Sequence, residues 1–552
     1  CPSGPYYQEK SLEIIDEVME NYDNDGFFFN WFSFSERDYS RHLWGPCHCV
    51  NCQEAFHESV GLDLPFGEDW SDPAWVKHLE FKRRVLAEVS GQIRERIRQK
   101  PGVCLLLRQT SDVTMHEVNN SVDRDLPLWR YSPGEVAKLD HGTDATKPVV
   151  TNVVLFLDLP YRFSAEQPGL VSIYGAQVLA HNVNPWIYVL GTLDQPDRKN
   201  FEAGSAILKF SRDHQDLYEN STACPKVVLV QSTKSMERYG RDRGADLVQD
   251  AFRGSYRALV EHHIPFTIME DTDLPSKLAS GELSRYECLV LPNVAAMSDE
   301  EAIALDEYIA AGGGIVMTYE SGLFDADAKR RTGFAMQAMA ETHVVARRDN
   351  MRSAYLMITS PDDLPDTDLT KFIMLDRSFL YVDAGEGAET SLKLLPPSRV
   401  GPPEVTYWDH ETDHPGKITR QHGAGKVIYF PWQVDALFYG LSLPEHSQLI
   451  ASAVEEVSSG GRQVSGDIPP QVEIVLVEQA ERGRTLVHLV NYSGHQDHSF
   501  HTAIELRDIA IKINDRQITR YTSTVTGEEL KTRDDGAFIL PSLGWMDVLV
   551  CE

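Results

Sequence analysis

The chain has 552 residues, 42% of them apolar, with 83 Asp and Glu against 52 Lys and Arg and a formal net charge of −31. That length exceeds what one hydrophobic core serves, so two to four domains are expected. The charge argues against nucleic acid or an anionic membrane as partner, and no apolar run of about 18 residues could span a bilayer.

Residues 8 to 22 place Leu12, Ile15, Val18, Met19 and Tyr22 on one helical stripe. Asp25-Gly26 then turns the chain into an apolar strand, Gly26-Phe27-Phe28-Phe29, which ends in Asn30. The polar loop that follows closes with Cys47, Cys49 and Cys52. An amphipathic helix through Leu79, Val85, Val89, Ile93 and Ile97 stops before Pro101-Gly102, and a buried strand runs from Val103 to Leu107. Further strands are expected over 149–157 and 186–191, with a fifth near Asp112 to Glu117, and a helix from Leu170 to Ala180. Strands alternating with helices predict a parallel sheet of the (β/α)8 barrel kind over 1–222. A whole barrel takes about 250 residues, so about three opening βα units are unaccounted for. Cys1, not Met, stands first, so the chain reads as N-terminally truncated, and an upstream signal peptide would be invisible.

A second alternation, from Val227 to Phe430, predicts a doubly wound, flavodoxin-like α/β domain over 225–457. Its Gly312-Gly313-Gly314 follows a helix and precedes a strand, the reverse of a dinucleotide fingerprint, so no organic cofactor is expected. The stretch from Met351 to Val405 reads as a decoration of this domain. After a Gly/Pro-containing linker, short runs separated by turns predict an antiparallel β-sandwich over 467–552.

Eight cysteines, most of them scattered singly, do not make a disulfide framework; they point to a reducing, cytoplasmic compartment. Three thiols within six residues suit tetrahedral zinc, with Cys1 as the natural fourth ligand and His48 as the alternative. Four thiolates leave no open coordination position, so such a zinc would be structural.

Loops after barrel strands carry the chemistry of this architecture. The eligible carboxylates are Asp38, Asp112, Glu117, Asp158, Asp194 and Asp197. Glycoside hydrolysis needs two carboxyls flanking the scissile bond. Glu117 and Asp158 are the chosen pair: Glu117 precedes Asn119 and Asn120, and Asp158 precedes Tyr161 and Arg162, all able to bind hydroxyls. Asn30 would bind a sugar hydroxyl and Trp31 a sugar face. No Gly-x-Ser-x-Gly, P-loop or His-Glu-x-x-His is present.

Cys1-Pro2-Ser3-x-Pro5-Tyr6, the strand ending in Asn30, the Cys47-x-Cys49-x-x-Cys52 group with Phe56 behind it, Leu291-Pro292 and Gly312-Gly313-Gly314 together resemble the glycoside hydrolase family 42 β-galactosidases and their relatives that carry a β-galactosidase trimerisation domain. The resemblance covers essentially the whole chain. It implies a structural zinc on Cys1, Cys47, Cys49 and Cys52, a retaining glycosidase acting on carbohydrate, and a homotrimer. It also exposes a departure: those enzymes end this strand in Asn-Glu, and here Asn30 is followed by Trp31. The alternative to a glycosidase is a degenerate, non-catalytic carbohydrate-binding protein on the same scaffold.

Overall fold

The computed structural model describes residues 1–552 except Trp31, 39–41, 108–110, 119–120, 366–368, Arg399, Thr406 and Asp409. Trp31 and Asn119, two of the expected sugar contacts, therefore lie outside the described residues. The chain divides into two compact units, one of residues 1–140, 144–215 and 498–501, the other of the remainder.

In the first unit, β1 (Gly26–Phe28), β2 (Cys104–Leu107), β3 (Val113–Val118), β4 (Val149–Val154) and β5 (Asn184–Tyr188) form one sheet in that order, all neighbours parallel. This is the half-barrel sheet that the alternation predicted, with β3 as the strand expected near Asp112. The connecting helices include α1 (Ser11–Asn21), α2 (Val50–Val60), α3 (Pro73–Ile97), α4 (Ser132–Thr143), α5 (Pro168–Ala180) and α6 (Phe201–Asp213). Asp72 caps α3 by accepting the Ala74 N–H at 2.8 Å, and Pro73 occupies its first turn. The stripe Phe81, Val85, Val89, Ile93 and Ile97 on α3 is buried in one cluster with Leu105 and Leu107 of β2.

In the second unit, five parallel strands lie in the order Phe266–Glu270, Val227–Gln231, Cys288–Leu291, Gly314–Thr318, Gly425–Phe430. Counted along the chain this is 2-1-3-4-5, the flavodoxin-like winding. Much of the expected decoration joins the same sheet: Ala388–Leu395, Ala354–Met357 and Phe372–Leu375, with Pro415–His422 beyond that stretch, extend it antiparallel to nine strands, while Phe379–Asp383 pairs with His343–Arg348 in a sheet of two. The glycine triplet is a packing device. Gly312 sits at φ +112°, and a Cβ on Gly313 would lie 2.3 Å from the Tyr308 ring.

The C-terminal strands make two antiparallel sheets, of four and five strands, around a shared core that includes Ile474, Leu476, Leu489, Ile511, Phe538 and Leu549. The fifth strand of one sheet is Thr222–Ala223, which pairs with Val477 and Glu478. Among the described residues, no helix is long and apolar enough to cross a membrane.

Candidate active site

Side chains alternate across a strand, and direct register partners share a face. His116 of β3 bonds Asp140 of α4 at 2.6 Å, so the even-numbered residues of β3 face the helices. Glu117 therefore faces the other, concave side, one residue before β3 ends. Its register partner on β4 is Asn152, whose partner on β5 is Trp186. Across the sheet, Phe28 of β1 meets Trp186, with ring centroids 5.8 Å apart. The curl of the sheet thus gathers a carboxylate, an amide and two aromatic rings from four strands onto one hollow face. Phe28 and Trp186 remain 47% and 40% exposed there.

The six eligible carboxylates separate by what they already hold. Asp38 accepts the His42 N–H and the Trp44 indole N–H, both at 3.0 Å. Asp112 accepts the Leu105 N–H at 2.9 Å and pairs with Arg94 at 3.2 Å. Asp197 accepts the Ala165 N–H at 2.9 Å, and Asp194 stands exposed. Asp158 uses both oxygens: Leu159 N–H donates to one at 2.7 Å and Val122 N–H to the other at 2.9 Å. It fastens the loop after β3 to the loop after β4. Glu117 differs, because its hydrogen bond comes from the Asn152 side-chain amide, at 3.5 Å. Of the remaining expected contacts, Asn30 lies exposed just beyond β1, Tyr161 is 56% exposed, and Arg162 lies over the Phe163 ring at 5.5 Å.

Sequence reasoning passed over Glu166, which is fully buried at the entry to α5. It forms an ion pair with Arg124 and accepts the Gln167 N–H at 2.8 Å. Burial pushes its pKa up against the pull of the Gln167 amide and of Arg124. Arg124 also donates to the His498 carbonyl at 3.2 Å, and His498 Nε2 donates to the Arg124 carbonyl at 2.7 Å. Together with Phe500 these residues line a hollow of about 360 Å³. The available signal was Ser164-Ala165-Glu166-Gln167-Pro168, a carboxylate just ahead of a helix-starting proline. Its arginine lies 42 residues away in the chain.

The cysteine loop gathers as expected. The ligand atoms of Cys1, Cys47, Cys49 and Cys52 all lie within 4.8 Å of one another, with Cys1 Sγ 3.5 Å from Cys49 Sγ and 3.2 Å from Cys52 Sγ. A tetrahedron with Zn–S bonds of about 2.3 Å has S···S edges of about 3.8 Å, so donor type and spacing both fit zinc. His48, the alternative fourth ligand, instead bonds the Pro65 carbonyl at 3.1 Å and stacks on Phe66. Burial, reinforced by the charges of Cys47 and Cys49, pushes the Cys52 thiol up to about 12. Such crowded thiols ionise together only around a cation.

The β-galactosidase trimerisation domain family matches residues 230–346. Among solved structures, the chain resembles α-L-fucosidase isoenzyme 2 from Paenibacillus thiaminolyticus, at 17% identity and a TM-score of 0.75, covering 100% of this chain and 81% of that one. The β-galactosidase from Bacillus circulans sp. alkalophilus matches at 14% identity and a TM-score of 0.72, covering 100% and 83%. Gan42B, a GH42 β-galactosidase from G. stearothermophilus, matches at 15% identity and a TM-score of 0.65, covering 100% and 82%. The fold is that of the GH42 β-galactosidases. No curated protein matches the chain. On this GH42-like fold, Glu117, Asn152 and Trp186 lie on the concave face of the parallel sheet, and Asn30 follows its first strand.

Proposed function

We propose that the protein is a glycoside hydrolase of the β-galactosidase or fucosidase kind, with its site on the concave face of the half-barrel. One observation carries this reading. Of the six eligible carboxylates, Glu117 alone combines a place on that face with a carboxyl to which no backbone amide donates among the described residues. Glu117 would give and take the proton at the glycosidic oxygen, and Asp158, on the neighbouring loop, would supply the second carboxyl. Asn30, Tyr161 and Arg162 lie in the loops after β1 and β4, where hydroxyls would be held. A panel of aryl β-galactosides, α-L-fucosides and related glycosides tests the reading. Turnover that disappears in Glu117→Gln supports it; turnover unchanged in that variant removes it.

A second reading, sugar binding without hydrolysis, draws support from two particulars. Asn30-Trp31 stands where the resemblance expects Asn-Glu, and an amide transfers no proton. Both Asp158 oxygens already hold backbone amides. Saturable binding of a sugar together with inertness across the whole panel would favour it.

Zinc on Cys1, Cys47, Cys49 and Cys52 would pin the loop after β1 and play no part in the chemistry. The match of residues 230–346 supports a homotrimer, and eight cysteines outside any disulfide suit the cytoplasm.

A further inference from the structure

Asn152 is 3% exposed, and its side-chain oxygen has no hydrogen-bond partner among the described residues. Its Nδ2 donates to Glu117 Oε1 over 3.5 Å, a long contact that a bound ligand could tighten. A buried amide oxygen left unpaired is costly, and a ligand hydroxyl would relieve it. Its register neighbours on either side are Glu117 and Trp186. Adjacent strands lie about 4.8 Å apart, so carboxylate, amide and indole stand in one transverse row.

We propose that Glu117, Asn152 and Trp186 form a recognition row for one neutral sugar ring, and that Asn152 is the positioning residue for the Glu117 carboxylate. The row rests on the assignment of the concave face to a sugar, and it adds the chemistry that selects one. Glu117 and the Asn152 oxygen are both acceptors, so the ligand must present hydroxyl donors. A carboxylate in the row, on a chain of net charge −31, repels anionic ligands. Trp186 and Phe28, 5.8 Å apart and both partly exposed, give the apolar C–H face of the ring an aromatic surface. The ligand class is therefore an uncharged pyranoside with adjacent hydroxyls on one side and an apolar patch on the other.

Binding, rather than turnover, tests this. Titration calorimetry of the full chain with methyl β-galactopyranoside and with L-fucose should give saturable binding of at least one. Asn152→Ala and Trp186→Ala should each weaken it at least tenfold with an unchanged circular dichroism spectrum, and Trp186→Phe, which keeps an aromatic face, should recover most of it. Asn152→Asp places a second carboxylate beside Glu117. One of the pair then holds a proton, so affinity should rise as pH falls, a response absent from the unsubstituted protein. A merely structural Asn152 would lower the melting temperature of its variants and leave affinity and its pH dependence unchanged, which would overturn the proposal. Binding of neither sugar by the unsubstituted chain would overturn it as well. Binding without hydrolysis would sink the glycosidase reading and leave the row standing.

Discussion

Phe28 and Trp186 belong to the first and last strands of the five-stranded parallel sheet, yet their rings are 5.8 Å apart. Five strands spaced about 4.8 Å would keep these residues some 19 Å apart in a flat sheet. The contact therefore measures how far the sheet has curled, over the face on which Glu117 and Asn152 stand side by side.

Glu117→Gln preserves shape and removes the proton. If Glu117 is the general acid, kcat should fall about 10² to 10⁴-fold, with folding nearly intact. Steady-state kinetics on an aryl glycoside with a poor leaving group, compared with an activated one, reads this directly. The loss should be larger for the poor leaving group.

The sulfur cluster predicts one zinc per chain by elemental analysis of purified protein. Cys49→Ala should lose that zinc and lower the melting temperature, because metal binding energy is folding energy here. Well under one equivalent of metal in the unsubstituted protein would dismiss the site.

Burial raises the pKa of Asp435 to about 6, against the pull of its hydrogen bond from Thr318. The folded chain thus holds a proton on Asp435 between about pH 4 and 6, where the unfolded chain has released it. Stability from this group is present at low pH and is lost as pH rises through about 6, by roughly 1–3 kcal/mol. Asp435→Asn keeps an acceptor for Thr318 and cannot ionise. Its melting temperature relative to the unsubstituted protein should be higher at pH 7 than at pH 4.5, and equal differences at both would refute the assignment.

Gly254 lies where the helix Asp250–Glu261 crosses the helix Val434–Leu441; a Cβ there would stand 1.9 Å from the Asp435 carbonyl oxygen. Gly254→Ala should destabilise the chain by about 1–3 kcal/mol or more, since the obstacle is backbone. Urea unfolding measures it. An unchanged midpoint would show that the helices separate freely.

If residues 230–346 assemble as their match to the trimerisation domain family suggests, light scattering at micromolar concentration should report three times the monomer mass, a ring of three closing its heterologous interfaces. A monomer mass under these conditions would remove the trimer.

Much of this was legible in the chain itself. The apolar runs at Gly26–Phe28, Cys104–Leu107 and Val149–Val154 are strands of one parallel sheet, as short apolar runs alternating with amphipathic helices require. Three cysteines in six residues announced the cluster of sulfurs, and turn residues spaced the C-terminal strands. These signals are local, fixed by periodicity and composition. The partnerships were not. Glu117 and Asn152 are 35 residues apart in the chain, and no local feature says that parallel register sets them opposite each other. Asp158 read as a free carboxylate until the fold brought Val122 N–H to it from 36 residues away. Glu166 was passed over in the sequence, because the Arg124 that pairs with it and the His498 carbonyl that Arg124 holds arrive only with the fold. Thr222–Ala223 has too few residues to register as a strand, and becomes one because the edge at Val477 and Glu478 offers backbone partners. Sequence determines which segments must be buried, while strand register and long-range closure decide which buried polar groups meet, and the chemistry depends on those meetings.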